Sequence, residues 1–366
     1  MHIRTVTVIG LGLIGGSIAK ALKQLNNIDC VIGIDTHLPT LEQALADNII
    51  SHGTQSVISE ISESDIIFIC TPVHQTLAWV KNLLPIIKPT CILTDVGSTK
   101  SVLINEIENL PQNFLFVGGH PMAGSEKSGY TASKSHLFEN AYYVLVPCSK
   151  CTDTHVAVLQ TLINAWGSLT ITLSASLHDK ITSAISHVPH VISALLVNMV
   201  RALDTDDKYM QKLAAGGFKD ITRISSSSPD MWQTICASNS SAISEMLTYY
   251  IQSLEQFKTA LMQHKDVQIY DIFDNAKQYR DTFTAKQTSL IPGMYELVVD
   301  VLDKPGIIGK IATLLGEHNI SIKNLNISNN REYEGGVLII SLPDVGCAQK
   351  AQQILQNQGY TVVRSN

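Results

Sequence analysis

Gly10-Leu11-Gly12-Leu13-Ile14-Gly15 is the stretch whose reading decides the fold. It follows an alternating β-branched run, Ile3 to Ile9, and precedes Ser17 to Leu25, whose composition is helical, so the order is strand, tight turn, helix. At such a junction the first glycine makes the turn, the second admits a pyrophosphate, and the third lets helix and strand pack closely where a helix N-terminus binds phosphate. A second strand, Cys30 to Ile34, ends in Asp35, 20 residues after Gly15, where a carboxylate would bond ribose hydroxyls and repel a 2′-phosphate. The expectation is a Rossmann-like domain that takes NAD rather than NADP, with Gly10, Gly12, Gly15 and Asp35 at the cofactor. The alternative is a glycine-rich turn in a different α/β protein.

Outward from that unit, strands continue to alternate with helices. Asp65 to Cys70 ends in Thr71-Pro72, Cys91 to Val96 ends in Gly97-Ser98-Thr99-Lys100, and Phe114 to Val117 runs into Gly118-Gly119-His120-Pro121-Met122-Ala123-Gly124-Ser125-Glu126. In an open parallel sheet the carboxyl ends of the strands line the ligand crevice, so Thr71, Ser98 and His120 are expected to gather beside the cofactor. His120 stands in what reads as a glycine-rich loop whose backbone can approach a ligand closely, and imidazole suits proton transfer near neutrality. Ser98 is expected to cap a helix, a role compatible with substrate contact. Tyr142 to Val146 and Leu169 to Leu173 complete this domain, taken as residues 1–173.

Beyond Leu173 the strand signal stops. Ser174 to Leu203 is helix-like and nearly apolar from Val188 to Val200, which predicts a helical domain over 174–285 and a subunit interface. His187 and His190 share a face of an ideal helix, His178 lies about half a turn from His187, and Pro189 can kink the helix beside them. The alternative for each is an ordinary core histidine. Gly216-Gly217-Phe218-Lys219-Asp220-Ile221-Thr222-Arg223 reads as a helix-connecting loop whose guanidinium is suited to gripping a carboxylate. Ala242 to Lys265 is helical and Thr282 to Gly293 a linker. Residues 294–366 then read strand, helix, strand, strand, helix, strand, a ferredoxin-like βαββαβ module. Asp303 and Gly306 open its first helix, where free amides could accept an anion.

Composition bounds the partners. The 366 residues are 45% hydrophobic and 16% charged with a formal net charge of −6, enough for two or three domains and without the basic runs of a nucleic-acid or anionic-membrane binder. No uninterrupted apolar run reaches bilayer length, and seven scattered cysteines suit a reduced, cytoplasmic protein. Cys148 and Cys151 form a lone C-x-x-C without a second pair, so no metal site is expected.

Five segments together resemble the prephenate dehydrogenases of the TyrA class that carry a C-terminal ACT domain: Gly10 to Gly15, Asp95 to Lys100, Gly119 to Glu126, Ser186-His187-Val188-Pro189-His190, and Gly217 to Arg223. The chain departs from that pattern at Val188, where leucine is usual, and at Thr234, near which an acid is usual. The resemblance implies NAD-dependent oxidative decarboxylation of prephenate, feedback by tyrosine through the ACT domain, and a homodimer. It makes His120 the base and Ser98 its orienting partner. Arg223 becomes the carboxylate clamp, His187 and His190 line the pocket, and His178 supports it from farther away. It also implies an amino-acid effector at Asp303 and Gly306. Three alternatives stand beside this reading: an arogenate dehydrogenase, a β-hydroxyacid-type dehydrogenase, and a non-enzymatic NAD- and amino-acid-binding regulator.

Overall fold

The computed structural model describes residues 3–124, 127–286, 295–302, 304–329 and 335–364. The chain divides into two compact units, Met1–Leu254 and Glu255–Asn366. In the first unit, β1 (Thr5–Ile9), β2 (Cys30–Ile34), β3 (His52–Thr54), β4 (Ile66–Ile69), β5 (Ile92–Asp95), β6 (Leu115–Pro121), β7 (Tyr142–Pro147) and β8 (Leu169–Thr172) make one sheet in the order β3-β2-β1-β4-β5-β6-β7-β8. Strands β1 to β6 pair in parallel, β7 runs antiparallel to β6, and β8 parallel to β7. Ile66 to Ile69 are all fully buried, the continuous apolar run expected of a central parallel strand covered on both faces. The covering helices are α1 (Leu13–Lys23), α2 (Leu38–Ala46), α3 (Val73–Leu83), α4 (Ser101–Glu108) and α5 (Asp153–Ala165). Val8, Ile18, Phe68 and Trp166 pack in one core layer, and Ile9, Ile69, Leu93 and Phe116 in the other. The order turns back between β1 and β4, which places the ligand crevice at their carboxyl ends.

Strand β6 departs from the expected loop. It continues through Gly118, Gly119 and His120 to Pro121, with His120 opposite Val144 of β7. The two glycines serve neighbours inside the protein: a Cβ on Gly119 would lie 2.5 Å from the carbonyl oxygen of Asp95, and one on Gly118 would lie 3.0 Å from Cδ of Lys100.

The helical part follows as α6 (Ala175–Thr182), a π turn over Ser183–His187, α7 (Val188–Leu203), α8 (Tyr209–Leu213), α9 (Gly216–Thr222), α10 (Pro229–Ser238), α11 (Ser240–Met262) and α12 (Asp266–Lys286). The segment expected to be a loop around Gly216 is helix α9, which begins at its two glycines and passes into a 3₁₀ turn at Arg223–Ser226. The expected linker from Thr282 begins as helix, because nothing before Pro292 breaks α12 up to Lys286. By length and mean hydropathy alone Ala175–Leu203 could cross a bilayer, although polar residues interrupt its apolar run throughout. It carries His178, Asp179, Thr182, Ser183 and His187 as buried polar residues, while Leu195, Met199 and Leu203 form an exposed stripe at helical spacing.

In the second unit, β9 (Tyr295–Leu302), α13 (Ile307–Glu317), β10 (Asn324–Asn329), β11 (Gly335–Leu342), α14 (Val345–Asn357) and β12 (Val362–Arg364) form the expected βαββαβ module, with an antiparallel sheet ordered β10-β11-β9-β12. Leu297, Val299, Ile311, Leu315, Leu338, Ala351 and Leu355 make its core. Gly306 precedes α13 with φ +89°, a left-handed position that favours glycine. Asp303 lies outside the described residues.

Candidate active site

The turn after β1 is shaped by its first and third glycines. Gly10 has φ +88°, and a Cβ on Gly15 would lie 1.9 Å from the Gly10 carbonyl oxygen, so α1 can start this close to the strand only without side chains. A Cβ on Gly12 would meet nothing within 4 Å, which leaves open space at the start of α1. Asp35 at the end of β2 accepts the Leu11 N–H at 2.7 Å and the His37 N–H at 2.8 Å, so the carboxylate is fixed to the turn itself and keeps lone pairs for hydroxyl donors. The Thr71 hydroxyl is buried without a protein partner, and its methyl group borders Gly10. Open space at Gly12, a tethered carboxylate and an unpartnered buried hydroxyl fit an adenine dinucleotide.

Three strands from β1 in the same sheet, His120 on β6 meets the helical region. Its Nδ1 is 2.8 Å from Nε2 of His178, whose Nδ1 is 2.7 Å from Oδ1 of Asp179. A carboxylate can only accept, so His178 donates through Nδ1 and presents its Nε2 lone pair, to which His120 donates through its own Nδ1. The lone pair of His120 Nε2 remains for a ligand. Asp179 also accepts the Lys100 and Ser101 N–H groups at 2.8 Å each, capping α4. Burial works against its charge, but these bonds and the one from His178 outweigh it and hold its pKa below the usual carboxylate range. For His120, burial, then the Lys100 cation, then His178 and His187 hold the imidazole well below its ordinary 6.5. It is therefore neutral at physiological pH.

The π turn brings the remaining histidines in. By adding a residue to one turn it rotates His187 away from the half-turn offset from His178 that an ideal helix gives, and Asn239 bridges the two stretches, donating to the Asp179 carbonyl at 2.9 Å and lying 3.1 Å from Nδ1 of His187. Burial chiefly lowers His187 to about 4. His190 stacks on Trp232 at 4.0 Å between ring centroids, and the Trp232 indole nitrogen is buried without a partner.

The structure corrects two expected placements. His178 is not a distant support; it is fully buried and in direct contact with His120. Ser98 is not the cap of α4, since Lys100 holds that position and Asp179 takes the first amides; among the described residues no hydrogen bond joins Ser98 to His120. Ser98 sits half-buried in the turn beside Thr99, whose hydroxyl is 2.9 Å from that of Ser238. Arg223 is exposed at the start of its turn, which packs against α7. Cys148 and Cys151 are free thiols 3.7 Å apart, and among the described residues no three His, Cys, Asp or Glu side chains gather as a metal-ligand set.

Sequence reasoning assigned no role to Asp179, or to the buried pair Asp95 and Lys100. Lys100 Nζ donates to Asp95 Oδ2 at 2.9 Å and to the Gly97 carbonyl at 2.6 Å, and Asp95 Oδ1 accepts the Gly119 N–H at 3.0 Å. Both side chains are completely buried. The available signals were the two charges inside Asp95 to Lys100 and an acid next to His178.

Comparison with known proteins decides the family. Residues 18–172 match the prephenate dehydrogenase nucleotide-binding domain, 174–275 the prephenate dehydrogenase dimerization domain, and 295–358 the ACT domain. A prephenate dehydrogenase of Bacillus subtilis is 39% identical over 96% of this chain and 95% of its own length. The chain belongs to the prephenate dehydrogenase family. A second prephenate dehydrogenase, from Lactococcus lactis, is 32% identical over 98% of this chain and all of its own length. Among solved structures, the prephenate dehydrogenase of A. aeolicus in complex with hydroxyphenyl propionate and NAD+ has a TM-score of 0.73 and 29% identity, covering 77% of this chain and 99% of that one. An arogenate dehydrogenase from Synechocystis gives 0.69 and 30%, covering 76% and 99%. The protein is an NAD-dependent oxidoreductase, which removes the non-enzymatic alternative. The exposed apolar stripe of α7 falls inside the dimerization-domain match.

Proposed function

We propose that the enzyme converts prephenate to 4-hydroxyphenylpyruvate and carbon dioxide, with His120 as the base. The observation that carries this reading is the run of hydrogen bonds from Asp179 through His178 to His120, ending on a neutral Nε2 in the same sheet that carries the dinucleotide turn. Bound NAD+ supplies the hydride acceptor. His120 Nε2 accepts the proton of the 4-hydroxyl as a carbonyl forms there, and Asp179, through His178, stabilises the imidazolium. Departure of the ring carboxylate as carbon dioxide makes the ring aromatic, and the proton returns to the phenolate oxygen. The partly buried rings of His190 and Trp232 form a wall suited to a planar ring, His187 lies beside them, and Ser98 contacts the substrate from its turn.

Arg223 grips a substrate carboxylate in this reading. Arg223→Ala is expected to raise the KM for prephenate roughly 30-fold, about 2 kcal/mol for an ion pair at the edge of a site, with kcat little changed. An unchanged KM would make Arg223 an ordinary surface charge.

The ACT domain supports control by an amino acid, tyrosine, at the start of α13 near Asp303 and Gly306. Two copies associate through the apolar stripe of α7; sedimentation at the single-chain mass of 40.0 kDa would contradict this. Seven unpaired cysteines support a reducing, cytoplasmic setting, which cell fractionation tests. Reduced-nicotinamide absorbance, followed with prephenate or arogenate and with or without tyrosine, tests the function. Signal with prephenate and NAD+ that tyrosine suppresses is expected; signal with arogenate alone would overturn the substrate, and indifference to tyrosine the effector.

A further inference from the structure

The hydrogen bonds around His120 close into a ring. From the His120 side chain they pass through His178 and Asp179 to the backbone N–H of Lys100, and from Lys100 Nζ through Asp95 to the N–H of Gly119, which precedes His120 in the chain. Asp95 Oδ2 also accepts the Gly97 N–H at 2.9 Å, and Lys100 Nζ donates to the Gly97 and Thr99 carbonyls, the residues on either side of Ser98. All three ammonium protons are thus used within a site that shields the side chain completely. A lysine buried this deeply is rare and costly unless its geometry serves something specific. Strand β6 is shaped to the pair: a Cβ on Gly118 would crowd the Lys100 side chain, and one on Gly119 would overlap the Asp95 carbonyl and the Tyr143 hydroxyl.

We propose that Asp95 and Lys100 are positioning residues for the reaction, a buried ion pair that fixes strand β6 and the Ser98 turn in one geometry and keeps a cation behind His120. The inference rests on His120 being the base. The titratable groups that act on this imidazole are Lys100 at the start of α4, His178 on α6 and His187 in the π turn, with Asp179 behind His178 and Asp95 of β5 paired to Lys100. Among them Lys100 is the fixed positive charge. Removing it lets the imidazolium form more easily, so the base is lost at higher pH.

The test is Lys100→Met, made in the full chain. Turnover with prephenate and NAD+ is expected to fall roughly 10- to 100-fold with both KM values within about threefold, the pattern of a mis-set base rather than lost binding. The acid limb of kcat/KM should move to higher pH, and the His120 imidazole signal, followed by NMR without substrate, should titrate at higher pH than in the wild type. Lys100→Met leaves a buried carboxylate without its cation, so if that chain fails to fold, Asp95→Asn/Lys100→Met removes both charges and keeps the volume. The double variant is expected to fold and bind NAD+ with turnover still reduced. Wild-type turnover together with an unmoved imidazole titration in either folded variant would overturn the proposal. Failure of the base reading itself shows separately, as full activity in His120→Asn.

Discussion

His120→Asn is expected to lower turnover roughly 10²–10⁴-fold, the scale of losing a general base, while the KM for prephenate stays within a few fold. Asparagine has similar bulk and still donates toward Nε2 of His178, so the buried arrangement of His178 and Asp179 has no reason to collapse. What disappears is the lone pair that receives the hydroxyl proton. Steady-state rates with saturating NAD+ check this. A variant with near-normal turnover would remove His120 from the chemistry, and one that loses binding but keeps turnover would make it a substrate contact.

Gly15→Ala is expected to cripple the enzyme from the cofactor side. The new methyl group would lie 1.9 Å from the Gly10 carbonyl oxygen and 3.0 Å from Cβ of Cys70, and the first contact is with backbone that cannot swing aside. Overpacking of this kind costs about 1–3 kcal/mol. If the turn opens to absorb it, the dissociation constant for NAD+ rises roughly 5- to 150-fold, and the melting temperature falls. Fluorescence titration of the purified variant with NADH measures the first and thermal unfolding the second. Gly12→Ala separates packing from cofactor approach, since a Cβ there meets no protein atom and should leave the melting temperature unchanged while weakening NAD+.

Much of the fold was legible because its strands are apolar runs ending in glycine or small polar residues, as with Ile66 to Ile69 before Thr71 and Ile92 to Asp95 before Gly97. The βαββαβ module was legible for the same reason. Strand β3 was not: His52-Gly53-Thr54 has no apolar pattern and is a strand through its pairing with Ile32 to Ile34. Gly118 and Gly119 read as a loop because glycine usually marks one, whereas here Gly118 clears space for a buried lysine and Gly119 for the Asp95 carbonyl. Lys100 and Asp179 escaped notice because a charge in sequence reads as solvated, and only the tertiary structure supplies the partners that make burial tolerable. The contact between His178 and His120 joins positions 58 residues apart, and the approach of His187 depends on a π turn that helical periodicity cannot anticipate.

The most direct measurement is the pH dependence of kcat/KM for prephenate, in which the acid limb reports the base in the free enzyme. As pH falls through the pKa of His120 the imidazolium forms and activity is lost. Because burial, Lys100 and the neighbouring histidines lower that pKa, the limb belongs on the acid side of 6.5, with activity flat from there toward neutrality. A limb at or above 6.5, or one that persists unchanged in His120→Asn, would contradict a neutral His120 as the base.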